Sequence, residues 1–302
     1  MRIDRSSERL TLQRIWRFAK RPPREIGRSI GFRWMSLKSR WERSLSKISL
    51  PARLPFGAWW VRRSDNLTKP LLTNTFETAE ISFVERFLQP GMTVLDLGAH
   101  HGIYTLLASK RVGSSGRVIS FEPSPRERRA LRLHLALNLC WNVTTQGLAL
   151  GNEDAESDLF VVEDWAAGCN SLRPPDVPAA TSVIRVHVVR LDDWLHNHRI
   201  DRVDFIKLDV EGGELAALQG ATQMLERKPR PVILAEVQDV RTLPWGYPAR
   251  EIIDHLRNKG YNWFRLARNG VAEELDLRTN NFEGNFVACP EEREAAMRGL
   301  AT

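Results

Sequence analysis

Cysteine and long apolar runs are the scarcest features of this 302-residue sequence. The three cysteines, Cys140, Cys169 and Cys289, are odd in number and none belongs to a CxxC pair. That excludes a disulfide framework of the secreted type and a zinc site built on paired thiolates, and it fits a reducing, cytoplasmic setting, the location expected here. No apolar run reaches the ~20 residues of a membrane-spanning helix. Charges interrupt the N-terminal residues where a signal peptide would carry an apolar stretch, so export is not expected. Two glycine signatures are also missing: the GxGxxG of nicotinamide-binding loops and the GxxxxGK[ST] of phosphate-binding loops.

What is present is a globular composition, 42% hydrophobic and 27% charged, enough to bury a core and to exclude global disorder. The net charge of +7 is unevenly spread: 17 of the 44 basic residues but 4 of the 37 acidic ones precede residue 64, about +13 there against about −6 beyond. The high isoelectric point therefore belongs to the N-terminal segment. In residues 1–50, Arg and Lys recur among Leu10, Ile15, Trp16, Phe18, Ile30, Phe32, Trp34, Trp41 and Leu45, with Pro22, Pro23, Pro51 and Pro55 as breaks. This reads as basic amphipathic helices suited to anionic lipid headgroups, with a solvated tail as the plain alternative. The expected division is a basic N-terminal helical extension over 1–63 and one α/β domain over 64–302.

Beyond the extension, β-branched runs alternate with helical patterns, which predicts a mostly parallel sheet with helices on both faces. Strands are expected at 93–97, 117–121, 143–150, 204–210 and 232–237, with helices at 103–110, 126–139, 214–225 and 249–258. An antiparallel insertion at 159–162 and 183–189 surrounds a Pro-rich stretch, and two strands near 262–266 and 285–289 close the sheet. Asp192 and Asp193 are expected to cap a helix starting at Trp194.

The loop Asp96-Leu97-Gly98-Ala99-His100-His101-Gly102 follows the first of these strands and precedes its helix. Gly98 permits a tight turn, Ala99 a close backbone approach, and the helix N-terminus free N–H groups for a carboxylate. Asp96 can meet an amino group. Twenty-six residues on, Glu122 ends the next strand, where a carboxylate can accept both hydrogen bonds of a ribose diol. Together these demands match S-adenosyl-L-methionine, whereas Asp96 alone could equally be a helix cap.

At these residues the sequence resembles the FkbM family of methyltransferases. The likeness runs through LDLGAHHG at 95–102, FEPSP at 121–125, Asn138, VVRLDDWL at 188–195, IKLDVEGGELAALQGA at 206–221 and AEV at 235–237. It covers about residues 76–290 and leaves the basic segment outside. The resemblance implies a Rossmann-like methyltransferase fold and methyl transfer to a hydroxyl of a sugar or natural product. The family's usual residue after Gly-Ala is Asn; His100 stands there in this chain.

Lys207, Asp209 and Glu211 alternate along the fourth predicted strand, which would point them to one face at the strand's carboxyl end, where open parallel sheets bind ligands. Removing a proton from an acceptor hydroxyl needs a base; Asp209 is the first candidate and Glu211 the second. With Glu236 they could also supply oxygen ligands to a divalent cation, or they could be structural, with Lys207 neutralising one of them. His100 and His101 are rival bases. No [DN]PP[FYW] element for nucleobase amines is present, since 173–177 read RPPDV, and Cys289 precedes Pro290 where cytosine C5 chemistry needs the reverse order. The expected function is O-methylation of a saccharide or glycoconjugate precursor, at the inner membrane face if the basic segment holds the protein there. An RNA methyltransferase anchored by that segment and an inactive cofactor-binding module are the alternatives, with nucleic acid the less expected partner.

Overall fold

The computed structural model describes residues 51–61, 67–162, 168–175, 180–279 and 282–298. The basic helices expected over residues 1–50 lie outside the described residues. The first described elements are a hairpin of β1 (Pro51–Arg53) and β2 (Trp59–Val61), followed by α1 (Thr68–Leu72) and α2 (Thr78–Phe87). Then come β3 (Thr93–Leu97), α3 (Ile103–Val112), β4 (Arg117–Phe121), α4 (Pro125–Leu137), β5 (Val143–Gln146) and β6 (Ala149–Leu150). β7 (Ala155–Val162), β8 (Thr181–Val189), α5 (Leu191–Asn197), β9 (Phe205–Leu208), α6 (Glu214–Gln219) and α7 (Thr222–Glu226) follow. The chain continues through β10 (Val232–Gln238), α8 (Asp239–Thr242), α9 (Arg250–Arg257), β11 (Tyr261–Leu266), β12 (Ala272–Glu274), β13 (Glu283–Pro290) and α10 (Glu294–Arg298).

The central sheet has eight strands in the order β12-β11-β13-β10-β9-β3-β4-β5. β5, β4, β3, β9 and β10 run parallel, whereas β13, β11 and β12 are added antiparallel, so the sheet is mixed. Neighbouring residues along the parallel strands serve opposite faces. Val94, Val118, Phe205 and Val232 pack with Phe83, Phe87 and Leu107 of α2 and α3. Leu95, Ile119, Ile206 and Ile233 pack with Trp194, Leu218, Ile253 and Leu256 of α5, α6 and α9. Each such buried side chain stabilises by roughly 1.5–3 kcal/mol, and burial on both faces is why these strands read as near-continuous apolar runs. The chain leaves β3 towards β4 and returns on its other side at β9, which makes the carboxyl ends of β3 and β9 the topological switch point where such sheets hold ligands.

Several expected elements change shape. The predicted strand 143–150 breaks into β5 and β6, and β6 pairs with β8 in a separate three-stranded sheet. The antiparallel insertion is confirmed as β7 against β8, from Ala155 opposite Val188 to Val162 opposite Thr181. The predicted helix 214–225 is split into α6 and α7 at Gly220, where a Cβ would come within 2.0 Å of the Gly151 carbonyl oxygen. Asp192 does not cap its own helix, which begins at Leu191. Its carboxylate accepts the backbone N–H of Gln223 at 2.8 Å and of Met224 at 3.0 Å, capping α7 from a distant part of the sequence. Residues 51–61, assigned to the extension by charge, form a hairpin whose Trp60 is buried and stacks on His134 of α4 at 3.9 Å.

Candidate functional site

The β3–α3 turn is shaped by two residues with left-handed backbone, Gly98 at φ 86° and His100 at φ 47°. The second value explains how histidine can replace the asparagine usual in the resembled family: both types are enriched in this region among non-glycine residues. A Cβ on Gly98 would lie 1.7 Å from the Asp209 carbonyl oxygen, so the loop can touch the end of β9 only through glycine. Glu122, at the end of β4, accepts the His100 N–H through Oε2 at 2.8 Å and the Ser124 N–H through Oε1 at 2.9 Å. Each carboxylate oxygen keeps a lone pair for a further donor. Burial pushes the Glu122 carboxyl up to about 8 against the lowering effect of those N–H groups. Asp96, buried at the end of β3, accepts the hydroxyl of Thr105 and is raised by burial to about 6.

These groups line a cavity of about 320 Å³ at the switch point, together with Ala99, His101, Phe121, Leu148 and Leu150. Gly102, which starts α3 at φ 92°, lies behind the wall: a Cβ there would meet Leu131 at 2.3 Å.

The other end of the cavity is acidic. Asp209, Glu211 and Glu236 each offer a carboxylate oxygen, and these oxygens lie within 4.8 Å of one another. Strand alternation does not place Glu211, because β9 ends at Leu208. Glu211 stands in a turn at φ 55°, where its carbonyl accepts Ser171 Oγ at 2.6 Å and Trp245 Nε1 at 3.3 Å, and its carboxylate pairs with Arg241 at 3.0 Å. Gly212 follows at φ 96°, and any Cβ there would strike the Arg241 carbonyl oxygen at 2.3 Å. Glu214 closes the turn by accepting the N–H groups of Val210 and Gly212, and burial raises it to about 7. Glu236 lies within β10, which continues to Gln238; its Oε2 is buried with no hydrogen-bond partner among the described residues. Burial first, and then the neighbouring carboxylates, raise Glu211 and Glu236 well above the ordinary carboxylate range.

Lys207 lies beneath this cluster and is fully buried. Its ammonium donates to Asp209 Oδ2 at 2.9 Å and to Asn285 Oδ1 at 3.1 Å, 5.3 Å from the Tyr104 ring centre. Burial works against its charge, but Asp209, Glu77 and Glu236 outweigh it and hold the ammonium above its usual range. Glu77 also acts on Lys207 by its charge, and it accepts Tyr104 Oη at 2.5 Å and Asn285 Nδ2 at 3.3 Å. Glu77, Tyr104, Arg241, Trp245 and Asn285 were not singled out by motif. Glu77 and Asn285 are 208 residues apart, and no local pattern marks residues that meet only through sheet topology.

The donor set suits S-adenosyl-L-methionine. Glu122 offers a ribose diol acceptor, Phe121, Leu148 and Leu150 give an apolar wall, and the glycine turn opens α3 towards a carboxylate. Of the candidates read from the sequence, Asp96, Gly98, Ala99, His100, Glu122, Asp209 and Glu211 line this one cavity, and Gly102 supports it from behind.

The model of the methyltransferase FkbM domain matches residues 96–262, more than half of the chain. Among curated proteins, the AMB antimetabolite synthetase AmbE of Pseudomonas aeruginosa is 24% identical over 207 residues, 58% of this chain and 10% of that protein. Methyltransferase 1 of Beauveria bassiana is 27% identical over 143 residues, 42% of this chain and 57% of that protein. The ribosomal RNA large subunit methyltransferase E of Nitrobacter winogradskyi is 47% identical over 51 residues, 16% of this chain and 22% of that protein. The chain thus spans less than two thirds of each of these relatives. Among solved structures, a methyltransferase FkbM from Methylobacillus flagellatus aligns at 17% identity over 74% of this chain and 54% of that one, with a TM-score of 0.41. An O-methyltransferase from Bacillus cereus aligns at 13% identity over 70% and 80%, with a TM-score of 0.42. With the β3–α3 loop, the Glu122 carboxylate and the acidic strand ends all inside the matched residues, the chain belongs to the FkbM family of methyltransferases.

Proposed function

We propose that the enzyme methylates a hydroxyl group of a saccharide or glycoconjugate precursor, a reading carried by the convergence of Asp209, Glu211 and Glu236 at the acceptor end of the cavity. The bound cofactor supplies an electrophilic methyl on sulfur. The chain's own residues would have to position an acceptor hydroxyl for attack and take its proton. Asp209 is turned towards the cavity by Lys207, which occupies Oδ2 and leaves Oδ1 for the acceptor hydroxyl. Its role is to orient the hydroxyl and accept the proton as the oxygen attacks. Crowding and burial raise the proton affinity of Glu211 and Glu236 and favour their neutral forms, so the role of proton acceptor is assigned to Asp209. The same three carboxylates could instead hold a divalent cation, the oxygen-rich environment such ions take.

The test is S-adenosylhomocysteine formation with a panel of nucleotide sugars, lipid-linked sugars and free glycans, before and after chelation and with Mg²⁺ or Mn²⁺ restored. Turnover on a sugar hydroxyl that is lost in Asp209→Asn supports the reading; turnover confined to RNA would replace it. A ribosomal RNA acceptor is the second reading, favoured by the short but 47% identical match to ribosomal RNA large subunit methyltransferase E.

A further inference from the structure

Helix α4 is amphipathic in an unusual sense. Its buried stripe is Glu127, Ala130, Leu131, His134 and Leu135. The opposite stripe, spaced i, i+3, i+4, i+7, i+8 on one helical face, is Arg129, Arg132, Leu133, Ala136 and Leu137, all exposed. Its single acidic residue, Glu127, is on the buried side, so the outward stripe carries positive charge at one end and apolar side chains at the other. The apolar end continues past the helix: Leu139 is 66% exposed and Trp141 88%. Leu139 also holds a left-handed backbone at φ 54°, in the position after the helix cap that glycine or asparagine normally takes. An exposed leucine there gains nothing from folding.

Trp59 of the β1–β2 hairpin joins this face. The Asn138 side chain accepts the Trp59 N–H at 2.7 Å and donates to the Trp59 carbonyl at 2.7 Å, which fixes the exposed Trp59 beside the end of α4. Lys110 donates to the Gly57 carbonyl at 3.0 Å and adds a cation at the hairpin's edge.

We propose that this face, formed by the hairpin and the outer side of α4, docks on an anionic lipid bilayer. Exposed Trp and Leu enter the interfacial region while Arg and Lys meet the headgroup charge, the composition expected of a surface lying on a membrane. The sequence entering the hairpin at Pro51 is itself strongly basic and aromatic, so both parts of the chain favour the same partner. Nucleic acid would use the cations but has no use for Leu133, Leu137 and Leu139. The proposal stands whichever acceptor is methylated.

The test is flotation of the full chain with vesicles of phosphatidylglycerol and phosphatidylethanolamine, against vesicles of phosphatidylcholine. The double variant Leu139→Asn/Trp141→Ser removes apolar surface without asking the backbone to change, since asparagine suits the left-handed position. We expect it to partition about tenfold more weakly into the anionic vesicles, with S-adenosylhomocysteine binding and melting temperature kept. Arg129→Gln/Arg132→Gln should weaken anionic partition and leave the phosphatidylcholine background unchanged. Equal partition of parent and both variants overturns the proposal. So does a parent dimer that the apolar variant dissociates without a change in partition, or binding of an RNA oligonucleotide, lost in the arginine variant, in place of vesicle binding.

Discussion

Gly98 and Asp209 are in backbone contact: the position a Cβ on Gly98 would occupy lies 1.7 Å from the Asp209 carbonyl oxygen. The cofactor loop and the end of the strand carrying the proposed base are therefore built against one another. Gly98→Ala must separate them as well as strain a left-handed backbone. We expect a loss of about 2–4 kcal/mol in stability, seen in urea melts, and at least ~10-fold weaker S-adenosylhomocysteine binding by calorimetry. Wild-type affinity in the variant would show that the contact is not needed.

The pH dependence of the ligand-free protein follows from carboxylates raised by burial: Glu122 to about 8, Glu214 to about 7 and Asp96 to about 6. A raised folded-state value means the native protein holds protons that the unfolded chain has released. Their contribution to stability is fully present below the unfolded value and is lost as pH rises through the folded one. The melting temperature should fall between about pH 5 and about pH 9, with a shallower fall in Glu122→Gln. No difference in slope would show that Glu122 is ionised throughout.

Cofactor binding should reverse this at Glu122. Ribose hydroxyls donating to the carboxylate favour its charged form, so binding S-adenosylhomocysteine near neutral pH should release a proton. Calorimetric heats measured in phosphate and in Tris would then differ in proportion to the buffers' ionisation heats. Identical heats in the two buffers would remove Glu122 as a group protonated in the free protein. Glu122→Ala should weaken binding by at least ~100-fold, two acceptor sites for the diol being lost with it.

Lys207 and Asp209 should separate in their effects. Lys207→Met leaves Asp209, Glu77 and Glu236 around an uncharged side chain, and removing one partner of a buried pair costs about 3–5 kcal/mol. The loss should shrink at low pH as the carboxylates take up protons. Asp209→Asn keeps an oxygen that can accept from Lys207 and leaves Glu77 and Glu236 to offset its charge, so it should lose less stability than Lys207→Met and bind cofactor within about twofold of wild type while turnover falls by roughly 10²–10⁴-fold. Full turnover in Asp209→Asn would move the base to Glu211 or Glu236.

A control lies outside the site. Asp192→Ala removes both acceptors for the Gln223 and Met224 N–H groups at the start of α7. We expect a loss of about 1–2 kcal/mol, a melting shift of roughly 2–8 °C, and unchanged cofactor affinity. A fall in affinity would couple α7 to the site.

The parts legible in the sequence are those whose signal is local. β3 and β4 sit at the residues predicted for them, because an apolar run ending in glycine or proline terminates itself. The cofactor loop was readable because a turn, a close approach and a helix start each demand a residue type at a fixed offset. The antiparallel closing strands were visible as strands, and only the assembled sheet set their order beside β10.

Tertiary structure decided the rest, where residues distant in sequence share one space. Alternation could not place Glu211, since the strand ends three residues earlier and the turn is held by Ser171 and Trp245 from other segments. Charge counting assigned residues 51–61 to the extension, but burial of Trp60 against α4 makes them part of the core. Asp192 has the local look of a helix cap, and which helix it caps was settled by packing. The sequence by itself determined an α/β framework with a parallel run of central strands and the residue types of its β3–α3 loop, because hydrophobic periodicity and turn stereochemistry act over a few residues. Only the tertiary structure decided which carboxylates meet, at what separation and against which cation, because Coulomb and desolvation energies depend on distances that sequence order does not encode.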